Sequence, residues 1–162
     1  MTQLRPYQLD AYARVRAAAV ELRKAYPERP AAVLLVLPTG GGKTEVAGQF
    51  IRNAVERKAR VLFLAHRRDL VSQAWARLQG MGIDCGMIMA GTPMRSDLPV
   101  QVASKDTITA RGYAPDGIDL IVVDEAHHTA ALDYRAILDV YPNAKSILGL
   151  TATPERSDGA TL

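Results

Sequence analysis

A glycine-rich segment near the start of the chain has the residue types of a phosphate-binding loop. The segment reads Pro38-Thr39-Gly40-Gly41-Gly42-Lys43-Thr44, with an apolar run before it and a helix-period pattern after it. Three glycines let backbone N–H groups curl round a phosphate, and the N-terminus of the following helix adds partial positive charge. Lys43 can then reach the β- and γ-phosphates, and Thr44 can ligate Mg²⁺. We therefore predict that residues 39–44 form a binding site for a nucleoside triphosphate.

The match is to a relaxed form of this loop. The strict pattern has a further glycine where this chain has Leu37. The motif requires a strand before the loop and a helix after it, and the sequence predicts both, which supports the relaxed match. The alternative that remains is a glycine turn with a structural role only.

Two adjacent acids follow a second apolar run, Leu120–Val123, in the segment Asp124-Glu125-Ala126-His127-His128. Open α/β sheets bind ligands at the carboxyl ends of their strands. Asp124 can there hold Mg²⁺ opposite Thr44, while Glu125 can orient and deprotonate a water molecule. A kinase that transfers phosphate to another acceptor needs no such water, so the pair favours hydrolysis. The alternative is that both acids are solvated caps at a strand end.

The elements that must position these residues alternate along the chain. Short runs rich in Val, Ile and Leu predict strands buried on both faces, at Val33–Leu37, Val61–Ala65, Val100–Ala103, Leu120–Val123 and Ser146–Leu150. A helix is predicted from about Pro6 to Tyr26, and apolar stripes predict two more, after Lys43 and around Leu70–Leu78. Residues 80–99 predict a loop with one short strand at Cys85–Met89. The fold class is therefore α/β, a three-layer domain with a mainly parallel sheet and helices on both faces.

Composition and charge narrow the class of protein. The chain has 162 residues, enough for one domain, and its longest strongly apolar run has seven residues against the ~18 needed to span a bilayer. No membrane partner is expected, and a single cysteine, Cys85, favours a reducing cytoplasm. Residues 1–80 carry 14 Lys/Arg against 6 Asp/Glu, whereas residues 81–162 carry 6 against 11. The basic half is a candidate surface for a polyanion; the alternative is that its arginines are solvated on helix faces.

Five segments together resemble one family. Besides the loop and Asp124–His127, they are Arg5-Pro6-Tyr7-Gln8, Ala65-His66-Arg67-Arg68 with the helix that follows, and Gly149-Leu150-Thr151-Ala152-Thr153-Pro154. Taken in chain order, the five segments resemble the motifs of superfamily 2 DNA and RNA helicases of the DEAD/DEAH type. The last segment is similar to the branch that contains XPB-like helicases and the motor subunits of type I and type III restriction enzymes. The resemblance covers nearly the whole chain and implies a RecA-like domain.

The resemblance also implies roles for single residues. Gln8 would read the adenine edge through its amide; the alternative is an exposed glutamine at a helix start. Thr151, Thr153 and His127 would couple the state of the nucleotide to the nucleic acid, and the strand before Thr151 would lie between the loop strand and the Asp124 strand. Arg67 and Arg68, with Gln73, Ser104 and Thr107, would contact a nucleic-acid backbone, DNA rather than RNA. The alternative for Ser104 is an ordinary helix cap.

Family members place the nucleotide between two RecA-like domains, and the second domain supplies arginine fingers. No Gln-x-x-Gly-Arg-x-x-Arg pattern occurs here, and the sequence stops a few residues past Pro154. We therefore expect residues 1–162 to be the first RecA-like domain only, truncated at its C-terminal end. By itself this domain should hydrolyse ATP slowly, because an arginine finger typically raises the turnover rate ~10³–10⁵-fold. The chain is predicted to be the ATP- and Mg²⁺-dependent half of a helicase or translocase. The alternative is an isolated module that binds nucleotide and nucleic acid with negligible turnover.

Overall fold

The computed structural model describes residues 4–92, 97–111, 115–126 and 139–153, and these form ten helices and strands. The helices are α1 (Pro6–Ala25), α2 (Lys43–Glu56), α3 (Arg68–Gly80) and α4 (Lys105–Arg111). The strands are β1 (Ala31–Val36), β2 (Arg60–Ala65), β3 (Cys85–Ile88), β4 (Val100–Ser104), β5 (Ile118–Val123) and β6 (Ser146–Thr151). All six predicted strands are confirmed, with bounds that differ by one or two residues.

The six strands form one sheet in the order β1-β6-β5-β2-β4-β3. Every strand pair recorded among the described residues is parallel. The carboxyl ends of the strands therefore lie at one edge of the sheet, where the loop after β1, the acids after β5 and the arginines after β2 come together. Strand β6 lies between β1 and β5, as the resemblance predicts.

Side chains of β2 alternate between two apolar cores, one on each face of the sheet. Val61, Phe63 and Ala65 belong to a buried cluster to which α1, α2 and α3 contribute. Leu62 and Leu64 belong to a second cluster on the opposite face, with Ile108 of α4 and Tyr141. Burial on both faces explains why the strand sequences are continuously apolar. The predicted three-layer α/β architecture is confirmed.

Backbone hydrogen bonds to residues in or next to β6 set both ends of β1, of which the carboxyl end lies beside the phosphate-binding segment. At its start, the Ala31 N–H donates to the Lys145 carbonyl at 3.1 Å, which draws β1 two residues further back than the apolar run predicts. Beyond its end, the Leu37 N–H donates to the Thr151 carbonyl at 3.0 Å. The glycine segment therefore leaves the sheet directly beside the end of β6. None of the helices in the described residues has the length and apolar character needed to cross a membrane.

Candidate functional site

The segment between β1 and α2 is a tight loop that two of its glycines shape. Gly40 and Gly42 have φ angles of 77° and 80°, in the left-handed region that residues with a Cβ avoid. The Gly41 N–H donates to the Pro38 carbonyl at 2.8 Å, which closes the turn. Lys43 begins α2, and its ammonium donates to the Leu37 carbonyl at 3.4 Å. The loop thus holds the lysine head group against its own backbone, at the N-terminus of a helix.

Asp124 and Glu125 follow β5 at the same edge of the sheet. The Asp124 N–H donates to the Leu64 carbonyl of β2 at 2.8 Å, and the Asp124 Oδ1 accepts the Glu125 N–H at 3.0 Å. Glu125 has a φ of 48°, a left-handed conformation that is uncommon for glutamate. Such outliers persist only where the surroundings determine them, and they cluster at functional sites.

Burial raises the pKa of the Asp124 carboxyl, and the neighbouring Glu125 charge raises it further. The hydrogen bond from the Glu125 N–H and the positive charges of Lys43 and Arg77 act in the opposite direction. The net shift of the pKa is upward, so the hydrogen bond and the two cations only partly offset the effects of burial and of the Glu125 charge. A further cation beside Asp124 would stabilise its charged form.

One cavity of about 1010 Å³ joins the loop to the acids. Its lining includes the predicted residues Gln8, Thr39, Gly40, Gly42, Lys43, Thr44, Asp124 and Glu125. The Thr44 hydroxyl and the Asp124 carboxylate are hard oxygen donors of the kind that Mg²⁺ prefers. The charged form of Asp124 is destabilised on balance, and a cation beside it would offset this, so Thr44 and Asp124 fit the ion. The structure thus brings the predicted nucleotide residues together, and their roles remain predictions.

Gln8 fixes the start of α1 to the glycine loop. Its side chain is 6% exposed, its Nε2 donates to the Gly41 carbonyl at 3.2 Å, and its Oε1 accepts the Arg5 N–H at 2.8 Å. The Tyr7 hydroxyl donates to the same Gly41 carbonyl at 3.1 Å. The glutamine is therefore buried, not the exposed residue of the alternative interpretation. Both ends of its amide contact the chain, so a contact with adenine would have to replace or extend these bonds.

Helix α3 contributes a wall of the cavity that the sequence analysis did not foresee. Leu70, Gln73 and Arg77, at helical spacing, line the cavity with Glu45 of α2. The Arg77 Nε lies 3.9 Å from the Glu45 Oε1. Gln73, which was predicted to contact nucleic acid, lines this cavity, and its role stays a prediction. The three-to-four-residue spacing on α3 was a signal that could have revealed this face.

The other predicted nucleic-acid residues lie at the same sheet edge but are unequally exposed. Arg67 and Arg68 are both exposed; the Arg67 Nε pairs with Asp69 at 3.4 Å, and the Arg68 Nη2 donates to the Ala90 carbonyl at 2.9 Å. Ser104, the last residue of β4, is 2% exposed and directly precedes α4. A cap for α4 needs no exposure, whereas a phosphate contact does. Thr107, in the first turn of α4, is half-buried.

Thr151 and Thr153 form a local turn at the end of β6. The Thr151 hydroxyl donates to the Thr153 carbonyl at 2.8 Å and accepts the Thr153 N–H at 3.1 Å. Thr151 is fully buried, and its backbone carbonyl accepts the Leu37 N–H. This turn therefore touches the strand that delivers the glycine loop, as a coupling role requires. His127, the third predicted coupling residue, lies outside the described residues.

Two known proteins are similar in sequence to this chain. The chain is 37% identical over 139 residues to the Type I restriction enzyme EcoAI endonuclease subunit of Escherichia coli, a match that covers 77% of this chain and 17% of that protein. It is 30% identical over 158 residues to the DNA 3'-5' translocase XPB2 of Sulfurisphaera tokodaii, covering 97% of this chain and 32% of that protein. The chain therefore spans a third or less of the length of either relative.

A solved structure shows the same fold. The helicase domain of Hef from Pyrococcus furiosus superposes with a TM-score of 0.70 at 28% identity, over 96% of this chain and 34% of that one. The family model described as Type III restriction enzyme, res subunit matches residues 1–156. With that match over nearly the whole sequence, the chain belongs to the family of the type III restriction enzyme res subunit, and its RecA-like fold is that of a superfamily 2 helicase domain.

Proposed function

We propose that residues 1–162 are the ATP-binding domain of a two-domain motor that hydrolyses ATP to move along, or unwind, nucleic acid. The observation that carries this proposal is the single cavity in which Lys43, Thr44, Asp124 and Glu125 meet. A phosphate-binding loop and a water-activating acid in one cavity are the parts that hydrolysis of a phosphoanhydride needs. Membership of a helicase family supports the same assignment.

In this proposal the glycine loop exchanges internal bonds for bonds to phosphate. The Gly41 N–H now satisfies the Pro38 carbonyl, and the Lys43 ammonium satisfies the Leu37 carbonyl. A triphosphate at the N-terminus of α2 would attract both donors, because charge-assisted hydrogen bonds are stronger than bonds to neutral carbonyls. Lys43 would then neutralise charge on the β- and γ-phosphates.

Thr44 and Asp124 would hold Mg²⁺, whose chemistry when bound is to neutralise the charge that develops on the phosphate oxygens. Glu125 would orient a water molecule in line with the γ-phosphate and accept its proton. The left-handed backbone at Glu125 supports this role, because it fixes where the side chain leaves the sheet edge. Gln8, which donates to the Gly41 carbonyl of the loop, would lie next to the adenine.

Movement would come from a second RecA-like domain that closes on this cavity. Thr151 and Thr153 would report closure, since their turn joins β6 to the strand before the glycine loop. Arg67 and Arg68, exposed at the same edge, would follow the phosphates of the track, which we propose is DNA because the similar XPB2 protein is named as a DNA translocase. A reducing compartment such as the cytoplasm suits the free thiol of Cys85.

A module that binds without turnover is the weaker alternative, because Glu125 would then have no task in the cavity. The test is ATP hydrolysis by a two-domain protein that contains this chain, with and without DNA. Wild type should hydrolyse ATP faster when DNA is present, and Glu125→Gln should bind ATP but lose turnover. An ATPase that duplex and single-stranded DNA both leave unchanged would contradict the motor, and turnover retained by Glu125→Gln would assign the base elsewhere.

A further inference from the structure

A second cation, Arg77, faces the candidate nucleotide cavity from α3. It lines the same cavity as Lys43 and Asp124, although 34 and 47 residues separate it from them in sequence. Its side chain is 63% exposed. An arginine is always charged and presents five N–H donors in a planar fork that suits phosphate oxygens. The position therefore offers a phosphate ligand that no motif in the sequence marks.

The partner that Arg77 has in this structure holds it loosely. Its Nε lies 3.9 Å from the Glu45 Oε1, longer than a hydrogen bond, and the Glu45 Oε2 is buried without a hydrogen-bond partner. A carboxylate oxygen that is buried without a partner is costly. The pair is therefore a poor final arrangement for both residues, and a stronger anion in the cavity can draw the guanidinium away at little cost.

The partner of Arg77 places it near the glycine loop. Glu45 lies in the first turn of α2, two residues after Lys43, and both line the cavity that Asp124 also lines. A guanidinium that pairs with Glu45 therefore lies close to the N-terminus of α2, where the loop would hold a phosphate. Gln73, one helical turn before Arg77, lines the same cavity and extends the polar face of α3.

We propose that Arg77 binds a phosphate oxygen of the nucleotide and leaves Glu45 when the nucleotide enters. The proposal rests on the proposed function, since it assumes that the cavity takes ATP. Arg77 would then be a binding residue supplied within the same chain, on the α3 side of the cavity, where it meets the phosphates opposite the loop. Glu45 would compete with the nucleotide for the guanidinium.

The experiment is calorimetric titration of the 162-residue chain with ATP and, by competition, with adenosine. Arg77→Ala should weaken ATP binding about tenfold or more, the usual worth of a charge-assisted hydrogen bond, and leave adenosine binding unchanged. Arg77→Lys should restore part of the loss. Glu45→Gln should strengthen ATP binding severalfold because it removes the competitor. Arg14→Ala, which removes an exposed arginine paired with Asp10 on α1, is the matched control and should change nothing.

The outcomes separate the two proposals. If wild type fails to bind ATP, the proposed function fails. If wild type binds and Arg77→Ala binds ATP equally well, or loses ATP and adenosine to the same extent, the phosphate role of Arg77 is refuted. Should Arg77→Ala not fold, as judged by its melting temperature, Glu45→Gln decides: stronger ATP binding supports the exchange, and unchanged or weaker binding overturns it.

Discussion

Two glycines of the loop share a backbone conformation but not a neighbourhood, which makes them a matched pair for mutation. Gly40 and Gly42 have φ angles of 77° and 80°. A Cβ added at Gly40 meets nothing within 4 Å. A Cβ added at Gly42 collides with the Gln8 Nε2 and lies 3.1 Å from the Glu45 Oε2. The two alanine variants therefore differ chiefly in whether Gln8 must move, with the close approach to Glu45 as a smaller second difference.

The expected difference follows from the bonds that Gln8 makes. A left-handed alanine costs about 1–2 kcal/mol at either position. Displacing Gln8 also breaks its bonds to the Gly41 carbonyl and the Arg5 N–H, each worth about 0.5–1.5 kcal/mol. The unfolded-state effect of replacing glycine is common to both variants and cancels. Gly42→Ala should therefore lower the free energy of unfolding by about 1–3 kcal/mol more than Gly40→Ala.

Urea unfolding of the two variants measures this difference, first in the wild-type background and then with Gln8→Ala. In the Gln8→Ala background there is no amide to displace, so the excess cost of Gly42→Ala should fall to less than half. Equal destabilisation by the two variants in the wild-type background would refute the reasoning, as would an excess that Gln8→Ala leaves intact.

Three further predictions concern other parts of the chain. The hydrogen bond from Lys145 lowers the pKa of the Asp119 carboxyl, so the ionised carboxylate stabilises the folded state above its unfolded pKa of ~3.9, and this stabilisation is lost as pH falls through the lower folded pKa. Asp119→Asn should therefore lower the free energy of unfolding by about 1 kcal/mol at pH 7, and urea unfolding should show this difference from wild type disappearing in acid. Burial raises the pKa of the Cys85 thiol to about 11, so an aromatic disulfide reagent at pH 8 should react with it only on unfolding, and rapid reaction of the folded chain would contradict that burial. Replacing Arg67 and Arg68 by alanine should flatten the slope of log DNA affinity against log salt by roughly one unit per lost phosphate contact, and an unaltered slope would return both to an ordinary solvated surface.

The sequence was sufficient for the elements and for much of the site, because those depend on local pattern. Continuous Val, Ile and Leu runs predict doubly buried strands, and each of them lies in the parallel sheet. The roles predicted for Lys43 and Asp124 depend on their positions after β1 and β5, because a parallel sheet brings the carboxyl ends of its strands to one edge. The interior position of β6 was available from the family resemblance alone.

What the sequence could not predict depends on the angle between packed helices. The placement of Gln73 and Arg77 on the nucleotide cavity follows from how α3 lies against α2, where Arg52 donates to the Met81 carbonyl at 2.9 Å. Periodicity on α3 shows which residues share a face, not which face meets the cavity. The same limit applies to Gln8, whose burial against Gly41 comes from tertiary packing and not from its motif.

Every role proposed for this chain depends on the glycine loop binding the phosphates of ATP. The most direct test is the affinity of the 162-residue chain for ATP with Mg²⁺, measured by calorimetry for wild type and Lys43→Ala, with Lys24→Ala on the exposed face of α1 as the control. We predict that wild type and Lys24→Ala bind ATP alike and that Lys43→Ala shows no measurable binding. Equal affinity of wild type and Lys43→Ala would contradict the claim.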